Sequence, residues 1–285
     1  MPVPTPGPDE LLVRVRAAGV NPGDWRVRKG EGAYASLSLP VVLGREVAGT
    51  VEQLGPGADG FAVGDEVFGG TPGMIGGWAE LALVSASFAA RRPSAVVPTD
   101  AATLPVAAGT AYDALNLLDL PAGSTLLVNG AGGGVGTAMV QLAVARGLTV
   151  IGTASRGKHD LIASWGAVPV EYGPAVIERI RAVAADGVDA VFDAVGGEAL
   201  RTVSVLVVDR SRLVTIADRL GVAELGGRGV ERDRSSAVLA EVVMLVRDGV
   251  LNPGVTDVRP FGQAGEALAV VEAGHARGKV AIQVS

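Results

Sequence analysis

The stretch Asn129-Gly130-Ala131-Gly132-Gly133-Gly134-Val135-Gly136 constrains the fold of this chain more than any other. The apolar run Ser124-Thr125-Leu126-Leu127-Val128 leads into it from turn residues, as a short buried strand does. Good helix formers from Thr137 to Arg146 lead out of it and stop at Gly147, a residue suited to the left-handed turn that ends a helix. Leu148-Thr149-Val150-Ile151-Gly152-Thr153 then reads as a second strand. Strand, glycine turn, helix and strand in this order make a βαβ unit.

In that setting the turn has a chemical meaning. A helix N-terminus offers unsatisfied N–H groups and the positive end of the helix dipole, so a pyrophosphate can sit there. Glycines let the backbone bend tightly and keep Cβ atoms out of the ligand's way. Read as G-x-G-x-x-G, the slots are Ala131, Gly133 and Gly136; read as G-x-x-G-x-x-G, they are Gly130, Gly133 and Gly136. In a chain with 41 glycines the pattern means little by itself. Its position between strand and helix points to dinucleotide binding.

The chain of 285 residues has room for two domains. A formal net charge of -6 and the lack of a basic block argue against nucleic acid and anionic membrane as partners. No apolar run approaches the ~20 residues that span a bilayer. The proline-rich start, Met1 to Pro8, is neither a signal nor a transit peptide, so a cytoplasmic location is expected. With no cysteine, disulfides, thiolate metal sites and a thiol nucleophile are all excluded.

Upstream of the turn, Leu11 to Ala17, Gly44 to Val51, Gly64 to Gly69 and Trp78 to Val84 read as short strands punctuated by glycine. They predict a small β-rich, barrel-like domain over residues 1 to about 100. Asp100 to Leu118 is alanine-rich and helical. Beyond Thr153 the alternation continues. Helices are predicted over Lys158 to Trp165, Pro174 to Ala185, Glu198 to Val207 and Ser235 to Arg247. Strands are predicted over Val168 to Val170, Val188 to Asp193 and Arg212 to Ile216, with a terminal strand from Gly278 to Val284. Repeated βα units argue for a doubly wound parallel sheet.

Taken together, these residues resemble the medium-chain dehydrogenase/reductase superfamily, and within it the zinc-independent quinone oxidoreductase branch. The resemblance rests on Gly19-Val20-Asn21-Pro22-Gly23-Asp24-Trp25, Leu43-Gly44-Arg45-Glu46-Val47-Ala48-Gly49 and Val63 to Gly69. It extends through Gly77-Trp78-Ala79-Glu80, Ala102-Thr103-Leu104-Pro105, the glycine turn, Phe192 to Gly197 and Gly274 to Lys279. It implies an α/β protein made of a Rossmann doubly wound parallel sheet and a GroES-like β-rich catalytic domain. The expected spans are a catalytic domain over residues 1–105, an NADP-binding domain over 106–254 and a return to the catalytic domain over 255–285. Family members usually carry a further segment before the Pro-x-Pro lead-in, so either the start of the chain is misassigned or the catalytic domain has lost an edge, and a bare edge strand would be a pairing liability. A homodimer is implied, through edge strands of the Rossmann sheet near Arg212 to Ile216.

The resemblance also assigns chemistry. Zinc alcohol dehydrogenases that this chain is similar to have a cysteine where Asn21 stands, a histidine where Arg45 stands and a second cysteine near Val106. A permanent guanidinium cation does not bind Zn²⁺. Hydride transfer from a nicotinamide to a quinone or an α,β-unsaturated carbonyl compound is therefore expected, the protein supplying position and electrostatics. NADPH is expected over NADH. An NAD site places an acid at the end of the second strand to bind the ribose 2′-hydroxyl. Here that strand ends Thr153-Ala154-Ser155-Arg156-Gly157-Lys158, with no acid before Asp160. An opposite-charge pair at 4 Å is worth roughly 4 kcal/mol at a near-surface dielectric before desolvation. A third of that favours a 2′-phosphate about tenfold.

By resemblance, Lys158 and Tyr172 hold that phosphate, with Ser155 and Arg156 beside them. Thr110, Asn129, Gly130, Ala131, Gly132, Gly133, Gly134, Val135 and Gly136 contact the cofactor, as do Ala194, Val195 and Ile216. Asn21 orients the nicotinamide or the substrate carbonyl. Asp24 either serves the site or caps a short helix. Trp25 is either core or cleft wall. Arg45 either polarises the substrate carbonyl or pairs with Glu46 or another acid. Tyr34 is the candidate proton donor, although it lies two residues farther from Asp24 than enoyl reductases of the family place theirs. His159 and His275 lack a nucleophile partner and a G-x-S-x-G elbow, so a hydrolase is disfavoured. The rival readings are an enoyl-thioester reductase, which a functional Tyr34 would favour, and an NADPH-binding or sensing protein without turnover.

Overall fold

The computed structural model describes residues 2–31, 35–274 and 276–284. Tyr34 and His275 lie outside these described residues. The chain divides into two compact units. One comprises residues 1–109, 234–249 and 253–285, the other residues 110–233 and 250–252.

The first unit opens with β1 (Glu10–Val20) and α1 (Pro22–Lys29), followed by β2 (Glu46–Leu54), β3 (Glu66–Gly70), β4 (Leu81–Ser85) and β5 (Ala89–Arg91). The helical stretch predicted from Asp100 is broken into α2 (Pro98–Ala101), a π-helical turn (Leu104–Ala108) and α3 (Gly109–Leu118). The second unit continues with β6 (Thr125–Asn129), α4 (Gly134–Ala145), β7 (Thr149–Ala154), α5 (His159–Ser164) and β8 (Val168–Glu171). Then come α6 (Val176–Val183), β9 (Ala190–Asp193), α7 (Gly197–Ser204), β10 (Leu213–Thr215), α8 (Arg219–Glu224) and β11 (Arg228–Gly229). The chain returns to the first unit with α9 (Ser236–Arg247), β12 (Val255–Pro260), α10 (Ala264–Glu272) and β13 (Lys279–Gln283). Among the described residues no helix is long and apolar enough to cross a membrane.

The sheet of the first unit runs in the order β12-β13-β1-β2-β3-β5, with β4 also paired to β1. Strand β1 is its spine. One edge pairs with β2 along most of its length; the other pairs with β4 at Glu10 to Arg14 and with β13 at Ala17 to Val20. Leu11, Val13, Val15, Ala17 and Ala18 of this strand are fully buried, whereas Arg14 and Arg16 are exposed. This is the GroES-like part of the fold. Its closing strand β13 comes from the far end of the chain and brings Lys279 next to Val20.

The sheet of the second unit is parallel, in the order β11-β10-β9-β6-β7-β8. Central strands of such a sheet are covered on both faces, and Leu126, Leu127, Val128, Val191 and Phe192 are fully buried. Two expectations are corrected here. The edge expected near Arg212 to Ile216 lies one strand further out, because β10 is paired on both sides and the two-residue β11 is outermost. The span 106–254 expected for the nucleotide-binding domain includes α9, but α9 belongs to the first unit. Its Val238, Leu239, Val242 and Val243 are buried, and Ser236 Oγ donates to Ala86 O at 3.0 Å.

Candidate functional site

In the second unit most of the sequence-selected residues fall on one edge of the sheet. The glycine turn follows β6, and Ser155, Arg156 and Lys158 follow β7. Tyr172 follows β8, Ala194 and Val195 follow β9, and Ile216 follows β10. These are carboxyl ends of parallel strands, where open α/β sheets bind ligands. Thr110 stands apart at the start of α3, where its Oγ1 accepts a hydrogen bond from Arg232. Arg232 is also ion-paired to Asp113 at 2.7 Å.

The turn is pinned from behind. Gly130 takes a left-handed φ of 87° that favours glycine. Its N–H donates to Thr153 Oγ1 at 3.0 Å, and the Ala131 N–H donates to Thr153 O at 2.9 Å. Gly133 caps α4, and its N–H returns to Gly130 O at 3.2 Å. The first turn of a helix leaves its N–H groups without intrahelical acceptors. Those of Val135 and Gly136 find none among the described residues. The helix is seated hard against the turn: a Cβ at Gly136 would overlap Gly130 O and come within 2.7 Å of Ala131 Cα. At the exposed Gly133 the nearest such atom is Gly130 O at 3.6 Å, so the front of the turn is open.

Lys158 lies across this turn. Its chain covers Gly132, where an added Cβ would overlap Cδ, and its Nζ donates to Gly132 O at 3.1 Å. Arg156 is exposed beside it, Tyr172 is 61% exposed, and Asp160 points to solvent on α5. His159 is an outer residue whose ring meets Ala154 O at 3.3 Å.

Asn129 is engaged internally. Its Nδ2 donates to Asp193 Oδ1 at 2.7 Å, and its Oδ1 accepts from Thr153 Oγ1 at 2.7 Å. Asp193 is fully buried and also accepts from Thr215 Oγ1 at 2.6 Å, Gly196 N at 2.9 Å and Val195 N at 3.2 Å. This carboxylate ties the ends of β6, β9 and β10 together. It holds Ala194 and Val195 against the turn, with Val195 Cγ2 within 2.8 Å of where a Cβ on Gly130 would stand.

The catalytic candidates of the first unit form a buried polar group. Asn21 precedes α1 in an extended conformation, and its N–H donates to Asp24 Oδ2 at 2.7 Å. Asp24 thus caps its helix. The carboxyl is fully buried, its Oδ1 accepts no hydrogen bond among the described residues, and Arg45 Nε lies 3.7 Å from that oxygen. Burial pushes the Asp24 carboxyl up to about 7 against the opposing pull of Arg45. Arg45 is therefore matched with Asp24 rather than Glu46. Trp25 stacks under Lys29, 4.7 Å from its ring centre, and packs on the cluster that includes Val20 and Leu268.

Two members of this group were not among the site residues expected from the sequence, Glu46 and Lys279. Glu46 is fully buried and Lys279 is 4% exposed, yet they are ion-paired at 2.9 Å. Both also hold the side chain of Asn21. Glycines make room for these charges: a Cβ on Gly19 would run into Glu46 Oε1, and one on Gly23 would run into the Arg45 guanidinium. A signal was available. Lys279 is a single charge heading the apolar strand Lys279-Val280-Ala281-Ile282, and such a charge needs a partner when buried.

Comparisons with known proteins agree with this arrangement. Residues 7–94 match the family model of the alcohol dehydrogenase GroES-like domain, and residues 168–282 match that of zinc-binding dehydrogenase. A 2-methylene-furan-3-one reductase of Solanum lycopersicum is 32% identical over 98% of this chain and 73% of its own length. The chain belongs to the medium-chain dehydrogenase/reductase superfamily. Two further superfamily members are similar to it. An NADPH-dependent alkenal/one oxidoreductase of Arabidopsis thaliana, chloroplastic, is 31% identical over 98% of this chain and 73% of its own length. The structure of the quinone oxidoreductase from Coxiella burnetii superposes with a TM-score of 0.89 at 27% identity, covering 100% of this chain and 93% of that one.

The second matched model is named for zinc, and the residues of this superfamily member do not fit that ion. Both ends of the Asn21 amide are engaged, Arg45 is a cation beside Asp24, and Val106 has no donor side chain. Among the described residues no group of three or more His, Cys, Asp or Glu is close enough to hold a metal.

Proposed function

We propose that this protein is an NADPH-dependent reductase of quinones or α,β-unsaturated carbonyl compounds that works without zinc. One observation supports the cofactor choice most. The Lys158 amine lies on the glycine turn at the head of α4, at the end of a strand that carries no acid. The names of the related alkenal/one and quinone oxidoreductases support the substrate class.

On this reading the turn and the open N–H groups of α4 would hold the pyrophosphate, and Lys158, Arg156 and Tyr172 would hold the 2′-phosphate. A bound nicotinamide supplies the hydride. The electron pair displaced from the acceptor's conjugated bond would end on its carbonyl oxygen, to which Asn21 would donate. The proton that completes the product comes from solvent, so Tyr34 is not required. A homodimer is part of the reading, with β11 as the paired edge, and light-scattering mass in solution tests it.

The deciding experiment follows NADPH oxidation, with NADH in parallel, against a naphthoquinone, a 2-alkenal, an enone and an enoyl thioester. Turnover of the quinone or enone with NADPH supports the proposal. Preference for the thioester supports the enoyl-thioester reading instead. Tight NADPH binding with no turnover on any acceptor overturns the enzyme reading in favour of a binding or sensing protein.

A further inference from the structure

Lys279, Glu46 and Asn21 form a nearly closed hydrogen-bonded set. The Lys279 ammonium faces Asn21 Oδ1 at 2.6 Å, Glu46 Oε1 at 2.9 Å and Val20 O at 3.4 Å, which accounts for its three hydrogens. Glu46 Oε1 also accepts from Asn21 Nδ2 at 2.8 Å, and Glu46 Oε2 accepts from Val106 N at 2.7 Å. Asn21 carries two Nδ2 hydrogens. Glu46 takes one, and the other finds no acceptor among the described residues.

The two charges also dictate which way the amide points. Turned over, Asn21 would aim its oxygen at a carboxylate and its NH₂ at an ammonium, and both contacts would be repulsive at these distances. A buried ion pair is a poor device for stability alone, since two apolar side chains of the same volume serve as well or better.

We propose that Lys279 and Glu46 are positioning residues. They clamp the Asn21 amide so that its one uncommitted N–H is held for the carbonyl oxygen of the hydride acceptor. This inference rests on the reductase reading above and names the residues that order its site. The clamp joins β13 to the turn after β1, so the last strand of the chain completes a site built from its first.

The test pairs Lys279→Met with Glu46→Gln in one variant. That change keeps side-chain volume, leaves no lone buried charge and frees the amide to turn. The folded double variant is expected to bind NADPH within about twofold of wild type and to lose about 100-fold in kcat/KM for the acceptor, the size of one lost oxyanion donor. Adding Asn21→Ala to it should cost no more, because the three residues act as a unit. Wild-type turnover in the double variant, or a further independent loss on adding Asn21→Ala, overturns the proposal. A second readout needs neither turnover nor a mutant that folds. With isotope-labelled asparagine in the wild-type holoprotein, one Asn21 Nδ2 proton should be protected from exchange and the other not. Equal exchange of both overturns the clamp. If the wild type reduces no acceptor but shows this asymmetry, the reductase reading fails and the clamp stands.

Discussion

A single methyl group added at Gly133 separates the fold of the glycine turn from its use. The backbone there is at φ −93°, ψ 168°, an extended conformation open to any residue. The new Cβ would lie 3.6 Å from Gly130 O, an ordinary contact. Gly133→Ala should therefore leave the ligand-free protein within about 0.5 kcal/mol of wild type. On the proposed reading the same methyl would intrude where the pyrophosphate closes on the backbone. Overpacking of that kind costs about 1–3 kcal/mol, which weakens NADPH binding roughly 5- to 150-fold. Gly136→Ala is the contrasting change. Its Cβ would overlap Gly130 O and press on the Ala131 backbone, so the turn must open. Stability should fall by about 1–3 kcal/mol even without ligand. Thermal melts without cofactor and NADPH titrations followed by fluorescence read both effects. Unchanged NADPH affinity in Gly133→Ala refutes the phosphate cradle. An unchanged melting temperature in Gly136→Ala refutes the packing of α4 on the turn.

Other outcomes follow from the same geometry. Lys158→Ala should lower the preference for NADPH over NADH about tenfold, the effect of losing one screened charge pair; equal weakening of both cofactors in parallel titrations counts against a 2′-phosphate role. Asp193→Ala strands Asn129 Nδ2 and the Val195 and Gly196 N–H groups of the second unit. At about 1–3 kcal/mol for each orphaned group, a loss of at least ~3 kcal/mol in urea denaturation is expected. The Asp24 carboxyl, raised from 3.8 to about 7 in the fold, holds its proton more tightly in the native state. Its stabilising contribution is then full below the unfolded value and is lost as pH rises through the folded one. The melting temperature of wild type relative to Asp24→Asn should fall between pH 4 and 7, and a difference that is flat across that range would contradict the assignment.

What the sequence by itself determined is the part of the fold that local backbone chemistry dictates. The glycine turn between β6 and α4, the alternation of strands and helices and the short glycine-punctuated strands are each set by neighbours along the chain. They were legible from residues such as Gly130, whose positive φ few other residues tolerate. The placement of Ser155, Arg156 and Lys158 after β7 and of Ala194 and Val195 after β9 was legible for the same reason, since the carboxyl end of a strand is a local place. The tertiary structure decided how distant groups are used. Lys279 and Glu46 are 233 positions apart, and no periodicity joins them. Only the pairing of β13 with β1 brings the ammonium to Asn21. The assignment of Asp24 to helix capping and of Arg45 to Asp24 likewise depended on burial, because a charge taken out of water must find its counterpart wherever the fold delivers one. Asn129, beside the turn in sequence, is drawn into the Asp193 network by the pairing of β6 with β9. The outermost strand β11 and the placement of α9 in the first unit also came from packing. An edge or a buried helix face is defined by what lies against it, and that partner is elsewhere in the chain.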